Sequence, residues 1–162
     1  MHFRKGSCCM YAEISKNAVL FYKALQDKWC AEQTYIGSPS NAVWSCCQAV
    51  EKSMKGLLQC YGVDAGGTHD LSILLESIEN ETELSNKSVG LIHDLARYDQ
   101  RIRYKNLKND PTVEETKGVI IDANEVINEI IQHPKCSAFA SEAKEVYEKM
   151  LQKNIDNAAN EL

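Results

Sequence analysis

Proline occurs only three times in 162 residues, at positions 39, 111 and 134. So few breakers leave long stretches free to be helical. Runs of β-branched residues alternating with polar ones are missing too, which argues against a sheet. No apolar run approaches the roughly 18 residues that a membrane span needs. The N-terminal Met1-His2-Phe3-Arg4-Lys5-Gly6 has no signal-peptide core, so a cytoplasmic location off the membrane is expected. The seven cysteines, at 8, 9, 30, 46, 47, 60 and 136, contain no C-x-x-C pair, and zinc-ligand spacing is therefore missing. They read as small, mostly buried thiols in a reducing compartment, with no metal and no cofactor expected. Gly62, Gly66 and Gly67 form neither G-x-x-x-x-G-K nor G-x-G-x-x-G, and no serine stands in a nucleophile-elbow context. A net charge of −5 argues against wholesale coating of nucleic acid and leaves local binding through one cluster open.

Arginine is also scarce, and its distribution is uneven. Of the four in the chain, Arg97, Arg101 and Arg103 fall within seven residues. Lys105 and Lys108 extend the cluster and Asp99 is its only acid, so residues 97–108 carry +4 while the rest carries −9. The planar guanidinium fork suits phosphate and carboxylate, and the cluster is read as an anion-binding site. The same pattern also suits a solvated helix face. On a helix, Arg97, Arg101, Lys105 and Lys108 share one arc of roughly 80°. Arg103 lies on the other flank of the apolar stripe, one turn from Asp99, in position for an ion pair. Tyr98 and Tyr104 are interleaved with the basic residues, where they can stack on a base or simply pack.

Helical spacing fills the remainder. Ile14, Ala18, Phe21, Leu25 and Trp29 predict a first helix over about residues 8–34. After Gly37-Ser38-Pro39, with Ser38 as N-cap, Val43, Cys47, Val50, Met54, Leu57 and Tyr61 mark a second, closed by Gly62. Thr68 is expected to cap a short third helix with Leu71, Leu74, Leu75 and Ile78 inward. Leu91, Leu95, Tyr98 and Ile102 are the expected stripe of a fourth. Thr112-x-x-Glu115 is a capping box for a fifth that buries Val119, Ile120, Ala123, Ile127, Ile130 and Ile131. His133-Pro134 ends it, and Ser137 begins a sixth. The expected architecture is all-α: an up-and-down antiparallel bundle of five to six helices. It forms one domain over residues 1–162, with its core over about 8–132 and an additional C-terminal helix over about 137–158.

Two single residues stand out beyond the cluster. Glu51 borders the apolar face of the second helix and is expected to be partly buried with a partner. His69, near the start of the third helix, is assigned a structural hydrogen bond to a neighbouring helix. His93 stands one turn before Arg97.

The segment Trp44 to Leu58, with Gln48-Ala49-x-Glu51-Lys52, resembles the signature of the HEPN (higher eukaryotes and prokaryotes nucleotide-binding) family. Members carry A-x-x-Q-A-x-E-K-x-L-K-A-L-L, then a glycine, then H-D/x-L-x-x-L-L. Here Gly62 and His69-Asp70-Leu71-x-x-Leu74-Leu75 follow in order. Tyr98-x-x-x-x-Arg103-Tyr104 resembles the family's Y-x-x-x-x-R-Y-P element, with Lys105 in place of proline. The resemblance spans about residues 18–131, with Gln48, Glu51, Lys52 and His69 as signature residues.

The resemblance implies a dimerising helical bundle with a cleft along the fourth-helix arginine region. That cleft would take a nucleotide or RNA phosphate through Arg97, Arg101, Arg103, Tyr104, Lys105 and Lys108. It further implies a partner, a minimal nucleotidyltransferase, in a toxin–antitoxin-type pair. The family's ribonuclease branch places a histidine after an arginine with four to six residues between them. Those positions hold Cys9, Met10 and Tyr11 after Arg4, and Ile102, Arg103 and Tyr104 after Arg97. They hold Asn106, Leu107 and Lys108 after Arg101, and Lys108, Asn109 and Asp110 after Arg103. Metal-free RNA cleavage needs a proton carrier as well as a cation, and only the cation is supplied. The leading expectation is therefore a binding protein without catalytic residues. A ribonuclease toxin using a displaced histidine and a protein-interaction module are the alternatives.

Overall fold

The computed structural model describes residues 14–103 and 110–160, at Arg103 the backbone alone. Among the described residues six helices follow one another: α1 (Val19–Thr34), α2 (Pro39–Cys60), α3 (Leu71–Glu79), α4 (Asn86–Arg103), α5 (Val113–Gln132) and α6 (Ser137–Asn160). No strand occurs among the described residues. The all-helical bundle expected from the apolar spacing is present.

The second helix is the hub and packs against α1, α3, α4 and α5. Its inner positions alternate large side chains such as Met54, Leu57 and Leu58 with the small Ala42, Ala49, Ser53 and Gly56, all buried. The small positions let neighbouring helices approach. A Cβ at Gly56 would stand 2.8 Å from Cζ of Phe21, so the α1 ring rests directly on the α2 backbone. Ser38 and Pro39 stand at the start of α2 as predicted, although the Ser38 side chain makes no capping hydrogen bond. Gly62, at φ +76°, turns the chain after its end, a conformation that glycine adopts without cost.

Five local expectations are corrected. The first helix begins at Val19, and residues 14–18 form a bend and a turn; residues 8–13 lie outside the described part. The reason is a cross-link: the Ser15 amide and hydroxyl donate to Glu142 of α6 at 2.7 and 2.6 Å. Ile14 and Ala18 are buried as their spacing indicated, but Ile14 lies in the bend before the helix and Ala18 is only its N-cap. Trp29 is 46% exposed, because α1 is held between α2 and α6 and buries Phe21, Tyr22, Ala24 and Ala31 instead. The ring of Tyr22 meets Tyr147 of α6 edge-on at 6.2 Å. Asp70, rather than Thr68, caps α3, its carboxylate accepting from the Ser72 amide at 2.8 Å. The Thr68 hydroxyl accepts from the Asp70 amide one step earlier.

The fourth correction concerns α4. Its buried line runs Ser88, Ile92, Leu95, Asp99 and Ile102, whereas Leu91 and Tyr98 are only half-buried. Two polar residues belong to the inward stripe, so a reading by hydropathy alone displaces it. Ser88 is satisfied by Glu129 of α5, which also accepts from the Ser85 amide and hydroxyl, each at 2.6 Å. Burial acts to raise the Glu129 pKa, but these hydrogen bonds outweigh it and hold the carboxyl below its ordinary value. The fifth helix carries the predicted capping box between Thr112 and Glu115. Ile120 and Ile131 are half-buried there, while Val126 and Thr116 join the core.

Candidate functional site

The fourth helix places Arg97 and Arg101 four residues apart, hence on one face. Measured from the buried line, that face looks almost directly away from the core. Arg97 has a 75% exposed side chain and forms an ion pair with Asp94 one turn earlier. Arg101 is more enclosed, at 35%. Its Nη1 lies 3.9 Å from Oε1 of Glu115 in the first turn of α5, and its guanidinium carbon lies 5.9 Å from the ring centre of Tyr98. Glu115 also closes the α5 capping box, and the Thr112 amide is the largest cause that holds its carboxyl below the usual value. The structure thus brings Arg97 and Arg101 together on an open ridge, each beside an acid of its own chain.

The other members of the predicted cluster are not placed. Tyr104, Lys105 and Lys108 lie outside the described residues, as does the side chain of Arg103. The expected Arg103–Asp99 pair falls with them, although Asp99 itself is buried at 6% on the inward line of α4. Tyr98, taken as a possible stacking residue, is half-buried beneath the Arg101 guanidinium. His93 is exposed.

The signature residues form a second constellation around Glu51, whose side chain is 5% exposed. Oε1 of Glu51 receives Lys55 Nζ at 2.9 Å and faces His69 Nδ1 at 2.9 Å. Oε2 receives Gln48 Nε2 at 3.3 Å. Three polar partners thus surround one buried carboxyl, and His69 ties the loop before α3 to the middle of α2. Lys52, one residue further round the helix, reaches α1 instead and pairs with Asp27. This arrangement ties elements together, with the His69 imidazole itself largely exposed.

Sequence reasoning found Glu51 and His69 but overlooked Lys55, which the i,i+4 spacing from Glu51 would have revealed. It also treated His133 only as a helix end. The His133 ring stands 3.2 Å from the Tyr61 hydroxyl and 3.3 Å from the Thr82 hydroxyl, joining the ends of α2 and α5 to the loop before α4. Its Nδ1 accepts from the Lys135 amide. No local pattern signals a bond between residues 72 positions apart.

The five described cysteines are free thiols. Burial pushes the pKa values of Cys46 and Cys136 up to about 12, which makes both poor nucleophiles near neutral pH. Among the described residues no group of three or more His, Cys, Asp or Glu side chains is placed to hold a metal ion. None of the described helices is long and apolar enough to cross a membrane.

Comparison with known proteins agrees with the all-helical fold. Among solved structures, the chain is similar to the crystal structure of an archaeal HEPN homologue, with a TM-score of 0.58 and 22% identity. The likeness covers 72% of this chain and 96% of that one, and it establishes the shared fold. No curated protein sequence matches the chain. The family model for the HEPN domain matches residues 20–133, which contain both the Glu51 network and the α4 ridge. The chain therefore belongs to the HEPN domain family.

Proposed function

We propose that the protein binds a nucleotide or RNA through its phosphates, using the outer face of α4. The observation that carries this reading is the setting of Arg97 and Arg101, two guanidinium groups one turn apart on a ridge facing away from the core. Their companions Asp94 and Glu115 are themselves well exposed. Surface pairs of this kind contribute only about 0–1 kcal/mol, so a phosphate able to accept two parallel N–H bonds from each arginine displaces them at small cost. Arg103, Tyr104, Lys105 and Lys108 follow directly in sequence and are assigned to the same site.

The reading is one of binding without catalysis. A guanidinium stabilises phosphate charge but does not shuttle a proton near neutral pH. Of the described histidines, His69 is engaged by Glu51 and His133 by Tyr61 and Thr82, while the exposed His93, one turn before Arg97, is the candidate that the ribonuclease alternative would use. Family membership supports a homodimer and a complex with a minimal nucleotidyltransferase, in the manner of a toxin–antitoxin pair.

Thermal unfolding of the purified protein with a panel of mononucleotides and short single-stranded RNAs tests the proposal. A ligand at about 100 times its dissociation constant stabilises the fold by roughly 2.7 kcal/mol, and Arg97→Ala with Arg101→Ala is expected to remove that gain. Gel analysis of the same RNA mixtures tests for cleavage. Metal-independent cleavage that disappears in the double variant would replace the binding reading with a ribonuclease.

A further inference from the structure

A cavity of about 380 Å³ opens between α1, α5 and α6, and no residue of α4 lines it. Its volume falls in the range of about 300–1,000 Å³ typical of small-molecule sites. Phe21, Ser53 and Ile127 form a nearly fully buried floor. The Ser53 hydroxyl donates to the Ala49 carbonyl of its own helix at 2.9 Å, so its proton is not offered to the cavity. The hydrogen-bonding groups among the other lining residues, Gln132, Ser137 and Ser141, are exposed and sit at the rim.

The charged residues that line the mouth are both cations. Lys28 from α1 and Lys144 from α6 line it, and no acid is among the lining residues, although the chain carries 23 acids against 18 basic residues. Each lysine has an acid one turn along its own helix, Glu32 at 3.5 Å and Glu148 at 3.9 Å. Those are loose, solvent-screened pairs that a better-placed anion can replace. An apolar interior below two ammonium groups matches a molecule with an apolar body and a single anionic head.

We propose that this cavity binds an amphipathic monoanion of the linear medium-chain carboxylate class. The alkyl body lies on the apolar floor formed by Phe21 and Ile127, and the carboxylate stays at the rim between Lys28 and Lys144. The site is independent of the phosphate ridge, so either assignment can fail without the other.

Isothermal titration of the full chain with octanoate, butyrate, 1-octanol and adenosine monophosphate tests the assignment. The result expected is one saturable octanoate site and no saturation with butyrate, which has the head without the body. Lys28→Gln with Lys144→Gln is expected to weaken octanoate by about tenfold while leaving 1-octanol binding unchanged. Ala140→Trp, which fills the cavity, is expected to abolish octanoate binding, with circular dichroism verifying the fold. Should the filled variant not fold, the lysine pair still decides. Absence of saturable octanoate binding, an octanoate affinity unchanged by loss of both lysines, or displacement of octanoate by adenosine monophosphate at lower concentration would each overturn the proposal.

Discussion

A carboxylate as enclosed as that of Glu51 has lost most of its hydration and needs polar partners in return. Lys55, His69 and Gln48 supply them. Glu51→Ala leaves these partners without their acceptor, and a cost of about 2 kcal/mol is expected in urea unfolding. His69→Ala should cost less than half of that, since the imidazole is largely exposed and the other two partners remain. Glycine gives a second test at this scale. Gly56→Ala drives a methyl group into the Phe21 ring, and overpacking of this kind costs about 1–3 kcal/mol. Gly90→Ala and Gly118→Ala, on α4 and α5, meet nothing within 4 Å. Each should stabilise by about 0.5–1 kcal/mol through helix propensity. Equal effects at all three glycines, measured by thermal unfolding, would contradict the packing described for α1 on α2.

Helices are held here by their ends as much as by their faces. Glu129 fastens the start of α4 to α5 through Ser85 and Ser88. Because its folded pKa is depressed, the folded state holds fewer protons than the unfolded state in the acid range. Its contribution is therefore complete above the ordinary glutamate value of 4.5 and is lost as pH falls through the folded value. Urea midpoints measured from neutral pH into this acid window should fall more steeply for the native chain than for Glu129→Gln, and parallel curves would refute the clamp.

The same scale shows what the sequence could and could not reveal. Helix positions, the Thr112–Glu115 box and the end of α2 at Gly62 were readable, because they depend on contacts within a few residues. The start of α1 was not, since Ser15 is bonded to Glu142, 127 positions away. Nor was the true inward line of α4, which passes through Ser88 and Asp99. The ridge was visible as charge alone: Asp94 lies at i−3 of Arg97, but Glu115 reaches Arg101 from another helix.

For the molecule as a whole, α2 organises the bundle, α6 packs mainly on α1, and residues 152–160 are all exposed beyond the core. The charge is divided, a local excess of cations on α4 standing against a net charge of −5. Function on this account rests on that division, with the Glu51 network giving form and the outer face of α4 giving affinity. The salt dependence of binding to a fluorescent single-stranded RNA, for the native chain and for Arg97→Ala with Arg101→Ala, tests this most directly. Two phosphate contacts should contribute about 1.4 to the slope of log affinity against log salt, and the double variant should lose that amount together with most of its affinity. A native chain with no RNA affinity at low salt, or a double variant with the same slope and affinity as the native chain, would contradict it.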